Sequence, residues 1–128
     1  MNYPTAKDVK VLVMGASENI SRYSNRAVKL LLQYNFEVVA LGNREGKILD
    51  VPIQKGFVPF ENVHTITLYL GAVNQTQYYD YILSLKPKRV IFNPGAENYE
   101  LAALLTKNGI AVEEACTLVM LNVGTFVE

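Results

Sequence analysis

The sequence predicts an α/β fold: a doubly wound sheet of five parallel strands in the order 3-2-1-4-5, with helices on both faces. Three observations predict it. Short apolar runs alternate from end to end with longer segments whose apolar residues fall three and four apart. Parallel neighbours need a crossover of a dozen or more residues, usually helical, and the spacing of the runs supplies it. Right-handed crossovers then place helices on both faces.

The first strand is Val9–Met14, apolar at nearly every position, as in a strand covered on both faces. Ser24 is the expected cap of the next helix, with Ala27, Leu30, Leu31 and Tyr34 as its buried stripe. Glu37–Leu41 forms the second strand, and Gly42 closes it. Residues 43–63 carry several glycines and prolines and read as a small extended excursion plus a turn. That excursion could serve as a dimer contact or a lid. Thr65–Leu70 (TITLYL) is the third strand, rich in β-branched and aromatic residues. Asn74 then caps a helix over Gln75–Leu85, facing inward through Tyr78, Ile82 and Leu85, and Pro87 ends it. Arg89–Asn93 is the fourth strand. A helix from about Glu97 to Asn108 follows, with Leu101, Leu104 and Leu105 inward and Gly109 just past its end. Ile110–Ala115 is the fifth strand, and Thr117–Asn122 a short closing helix.

The totals narrow the functional classes. A chain of 128 residues is the size of a single domain, with half of its residues apolar, enough for a core without metal or disulfide help. Formal net charge is zero, so nothing draws the chain generally to nucleic acid or an acidic membrane surface. No apolar stretch approaches the roughly 20 residues of a membrane span, and MNYPTAKDVK is not a secretory signal. With one cysteine and no such signal, a cytoplasmic protein is expected.

Two turns echo each other. MGASEN (Met14–Asn19) follows the first strand and PGAENYE (Pro94–Glu100) the fourth, each placing Gly-Ala and then Glu-Asn before a helix. In the order 3-2-1-4-5 those strands are neighbours and the chain reverses between them. The turns would then face each other across the crevice where open parallel sheets bind ligands. Gly15 allows close backbone approach. Ser17 and Asn19 offer donors, N–H groups near the helix start sit at its positive end, and Arg22 adds a fork suited to phosphate. A glycine turn with no ligand is the plain alternative. The dinucleotide fingerprint wants glycine where this chain has Gly15, Ser17 and Ile20, and only the first fits. Asn43, Arg44 and Lys47, in place of an acid near the second strand's tip, favour a ribose bearing a phosphate, as in NADP and coenzyme A.

Taken in order, GASENISRYSNRA, NPGAEN and CTLVML resemble the small stand-alone coenzyme A-binding proteins. Their Rossmann-like fold is similar to the CoA-binding domain of the succinyl-CoA synthetase α subunit. The resemblance runs from about Val9 to Leu121. It implies binding of CoA or an acyl-CoA, with Gly15, Ala16, Ser17, Arg22 and Ser24 matching the pyrophosphate turn. Gly42, Asn43 and Arg44 would border the adenosine and its 3′-phosphate. Asn93, Gly95, Glu97 and Asn98 would line the cleft near the pantetheine. The chain departs from many relatives at Ile20, where they have proline, and at Gly42-Asn43, where they have Asn-Pro.

Residues for a reaction are scarce. His64, the only histidine, precedes the third strand at the amino edge of the sheet, away from the proposed cleft. One histidine and one cysteine cannot make a typical zinc set. Cys116 follows the fifth strand at the cleft edge, where its thiol could approach that of a bound CoA; burial as a small apolar residue is the alternative. Glu18 and Glu97 could pair, or simply answer helix dipoles. The sequence therefore points to binding of a nucleotide cofactor rather than catalysis. An NADP-dependent oxidoreductase and a nucleotide-sensing interaction module stay open beside it, as does the oligomeric state.

Overall fold

The computed structural model describes residues 5–127. Its strands are β1 (Lys10–Met14), β2 (Glu37–Leu41), β3 (Gly46–Ile48), β4 (Val51–Gln54), β5 (Val63–Leu68), β6 (Arg89–Phe92) and β7 (Ala111–Glu114). Between them run the helices α1 (Tyr23–Gln33), α2 (Ala72–Gln75), α3 (Tyr79–Leu85), α4 (Tyr99–Lys107) and α5 (Thr117–Val123). They form one seven-stranded sheet in the order β3-β4-β2-β1-β5-β6-β7. Every pairing is parallel except β3 with β4, which is antiparallel.

The α/β class and the alternation hold, but the five-strand order 3-2-1-4-5 does not. Counting only the strands anticipated from sequence, the order is 2-1-3-4-5. The reason lies in residues 43–63. There the chain folds into the β3–β4 hairpin, and β4 pairs beside β2 through Ala40–Ile53 and Leu41–Gln54. That edge of β2 is thereby taken, and β5 occupies the free side of β1 instead. The strands that the sequence pattern would make neighbours, β1 and β6, are separated by β5.

Alternation along each strand divides the core into two layers. Val11 and Val13 of β1 pack with Val28 and Leu31 of α1, and with Met120 and Leu121 of α5, on one face. Leu12 and Met14 pack with Ile82 of α3 and with Leu101 and Leu105 of α4 on the other. The helices therefore cover both faces as predicted. Within the stripe expected for α1, Ala27 and Leu31 are buried and Leu30 is partly so, whereas Tyr34 lies exposed just past the helix end. Val28 takes the inward place.

Three helix starts differ in detail. Ser24 does not cap α1, because the helix already begins at Tyr23 with Arg22 at its N-cap. Asn19 closes a tight turn there, its side chain accepting from the Ser21 N–H at 3.0 Å and its carbonyl from the Arg22 N–H at 3.0 Å. Asn74 lies inside the short α2, which Gly71 caps, and a 3-10 turn at Thr76–Tyr78 separates α2 from α3. Helix α4 starts after Asn98, whose side-chain oxygen accepts the Leu101 N–H at 3.1 Å.

Candidate functional site

The order of the strands moves the reversal of the chain to the gap between β1 and β5. Beyond the carboxyl ends of these strands lies a cleft of about 830 Å³, within the range usual for ligand sites. The turn after β1 forms one wall and the turn after β6 the other. Tyr69 and Leu70, which extend β5 past its tip, line it between them.

The first wall is built on backbone contacts. The N–H groups of Gly15 and Ala16 both donate to the Leu41 carbonyl, at 3.0 and 2.9 Å, which pins the turn to the end of β2. Gly15 has φ +92°, and a Cβ there would lie 3.1 Å from the Tyr69 carbonyl carbon. Both the dihedral and the approach exclude a side chain. Gly42 is needed for a different reason: a Cβ on it would collide with the Ala16 carbonyl oxygen and the Ile53 side chain. Beneath the turn, the buried Asn25 amide donates to the Ser17 carbonyl at 2.8 Å. Among the described residues the N–H groups of Ser17, Glu18 and Ile20 meet no acceptor. The first turn of α1 holds no acidic residue to answer its dipole.

Charge at the mouth is positive. Arg22 and Arg44 both line the cleft, and neither forms an ion pair among the described residues. Glu18 is the only carboxylate of the lining, and its Oε2 accepts the Lys47 N–H at 3.0 Å.

The second wall is held from behind by polar side chains. Asn93 is buried and donates to Thr67 Oγ1 at 2.6 Å and to the Leu68 carbonyl at 2.9 Å, while its own oxygen accepts the Thr117 N–H at 2.9 Å. Gln75 is fully buried, and its amide donates to the Leu70 and Ala96 carbonyls at 2.8 and 2.7 Å. Asn98 donates in turn to Gln75 Oε1 and to the Tyr79 hydroxyl, both at 2.9 Å. Gly95 has φ +93°, and its N–H donates to Glu97 Oε1 at 2.8 Å.

Of the residues expected at the site, Gly15, Ala16, Ser17, Asn19, Arg22, Ser24, Asn43, Arg44 and Gly95 line the one cleft. Gly42 lies directly behind, as the support of Ala16. Asn93, Glu97 and Asn98 hold the second turn and are not part of the lining. Cys116 occupies the N-cap position of α5, half-buried and outside the lining. His64 stands near the amino end of β5, its Nδ1 2.8 Å from Thr65 Oγ1. Glu18 and Glu97 do not act as a pair here, each being engaged with a backbone amide of its own.

Sequence reading missed Tyr69, Asn74 and Gln75. The tip residues of β5 reach the cleft only because β5 lies beside β1, so the wrong strand order concealed them. Tyr69 lines the cleft while its hydroxyl is buried beside Thr67 and Thr117. Those two hydroxyls share a bond with each other at 2.8 Å, and among the described residues the phenol has no partner of its own. Burial pushes Tyr69 up to about 12, the threonines offsetting part of the effect. Burial, with nearby Tyr78, also pushes Tyr81 up to about 12; its hydroxyl donates to the Val58 carbonyl.

These phenols imply a pH dependence. In the unfolded chain they ionise near the ordinary value of about 10, so the native state holds their protons more tightly. Their contribution to stability is complete below pH 10 and falls as pH rises from 10 to about 12. A spectrophotometric titration should show two late-ionising tyrosines, and Tyr69→Phe should remove one of them. Simultaneous ionisation of all the tyrosines, with the fold intact, would contradict the burial described.

A doubly wound sheet with two glycine turns over its switch point has the architecture of open α/β domains that place ligands there. Residues 9–122 match the CoA binding domain family, and the chain belongs to that family. Comparison with curated proteins gives no match. Among solved structures, an uncharacterized protein is 46% identical with a TM-score of 0.90, the match covering 92% of this chain and 98% of that one. A protein from Thermus thermophilus is 16% identical with a TM-score of 0.81, over 92% of this chain and 90% of the other. A conserved hypothetical protein from Pyrococcus furiosus is 24% identical with a TM-score of 0.72, over 82% and 91%. The last two show the fold alone. No described helix is long and apolar enough to cross a membrane.

Proposed function

We propose that the chain binds coenzyme A or an acyl-CoA in the cleft over β1 and β5 and carries out no reaction on it. The observation that carries this reading is the convergence on one cleft of two glycine turns and two guanidinium groups, neither in an ion pair among the described residues. The free amides of the first turn, the start of α1 and Arg22 suit the pyrophosphate. Arg44, beside the tip of β2, suits a 3′-phosphate on the ribose, and the second turn with Tyr69 and Leu70 leaves a less charged path for the pantetheine. The lining includes no histidine, cysteine or lysine, and its carboxylate is already engaged. That composition supports binding rather than chemistry. A small cofactor carrier or sensor fits it best.

Isothermal titration with CoA should give saturable binding at one site. Arg22→Ala should weaken it roughly tenfold, the worth of one charge-assisted phosphate contact. Absence of heat at high micromolar CoA would overturn the reading. NADP also bears a phosphorylated ribose, and competition against bound CoA separates the two: NADP should displace it poorly.

A further inference from the structure

We propose that Glu18 is a positioning residue that sets selectivity for a 3′-phosphorylated nucleotide, by fastening the segment that carries Arg44 to the first turn. The inference rests on the CoA reading above and adds to it the element that holds Arg44 in place.

A carboxylate in a cleft that holds phosphate repels its ligand, so its presence in a lining with two arginines calls for a reason. Glu18 reaches away from β1 across to the hairpin, where its Oε2 accepts the Lys47 N–H at 3.0 Å. Its carboxylate fills the space that a Cβ on Gly46 would occupy. Gly46 is a strand residue without positive φ, so its backbone conformation does not require glycine. What its missing side chain makes room for is Glu18.

The other end of the segment is fixed as well. Gly42 lies against Ala16 and donates its N–H to the Gln54 carbonyl at 2.9 Å. Asn43, Arg44 and Glu45 therefore span a short arch with both feet on the first turn: Gly42 on Ala16 at one side, Gly46 and Lys47 on Glu18 at the other. All three are exposed, and of them Asn43 and Arg44 line the cleft. Arg44 makes no ion pair among the described residues to hold it. A long exposed side chain on a loose loop loses much of its binding free energy to ordering. Anchoring the backbone at both feet reduces that loss, and the Glu18 foot is the one a single side chain controls.

The test compares affinities for CoA and 3′-dephospho-CoA, whose ratio reads the Arg44 contact separately from the rest of the site. Arg44→Ala should lower the ratio roughly tenfold. Glu18→Ala should lower it about threefold or more, because the arch must then be ordered on binding. Gly46→Ala should act like Glu18→Ala, since the added methyl displaces the carboxylate. Glu18→Gln keeps the acceptor for Lys47 and loses the charge. It should leave the ratio at the wild-type value while tightening both nucleotides. A protein that binds neither nucleotide overturns the functional reading and this inference together. Loss of the ratio in Arg44→Ala with retention in Glu18→Ala and Gly46→Ala overturns the inference alone, as does Glu18→Gln behaving like Glu18→Ala.

Discussion

Gly42→Ala is expected to damage both the fold and the cleft more than any other single methyl added to this chain. The new carbon would be driven into the Ala16 carbonyl oxygen and the Ile53 side chain. Of these, the backbone oxygen belongs to the turn that forms the first wall, and Ile53 belongs to the strand that closes the edge of β2. Neither can rotate away. Overpacking of this kind costs about 1–3 kcal/mol, and pushing on backbone places it at the upper end. For a domain of this size the melting temperature should fall by roughly 10 °C. Affinity for CoA should fall by at least about tenfold even at temperatures where the variant is folded, because the turn must retreat from its position. Thermal denaturation and titration of the same sample check both parts. Unchanged melting would show that Gly42 has more room than the packing allows.

Asn93→Ala should have a comparable effect on stability by the opposite route. The side chain satisfies the Thr117 N–H, the Leu68 carbonyl and the Thr67 hydroxyl, all of them buried. Its removal leaves the Thr117 N–H without a partner in the interior and takes one bond each from the Leu68 carbonyl and the Thr67 hydroxyl, at a cost of about 2–4 kcal/mol. Binding should weaken less than in Gly42→Ala, since the first wall and both arginines stay in place. The second wall would lose its link to α5, so the loss should appear as faster dissociation with little change in association. Equal stability of Asn93→Ala and wild type in urea would contradict the network.

Much of this was legible in the chain. The strands β1, β2, β5, β6 and β7 announce themselves as apolar runs, and the echo of Gly-Ala and Glu-Asn after β1 and β6 marks both walls of the cleft. The hairpin was not legible, for identifiable reasons. Its turn places Leu49 at φ +53°, where sequence rules look for asparagine or glycine. Pro52 stands inside β4 and argues against a strand, although β4 tolerates it opposite Lys47. Missing the hairpin gave the wrong strand order, and the wrong order hid Tyr69 and Leu70. Gln75 was hidden differently: a glutamine in QTQYYD reads as surface, and only the fold buries it between two turns. Most residues of the two turns that line the cleft could thus be read from turn chemistry. Those that hold the turns together depend on contacts between segments distant in sequence.

The central claim is that both glycine turns contact one CoA molecule. Amide resonances followed by NMR during a CoA titration test it most directly. Saturable shifts are expected for Gly15, Ser17 and Asn19 on one wall and for Gly95 and Ala96 on the other, all with a common affinity. Shifts confined to one turn, or centred instead on the separate hollow around Arg89 and Phe126, would contradict it.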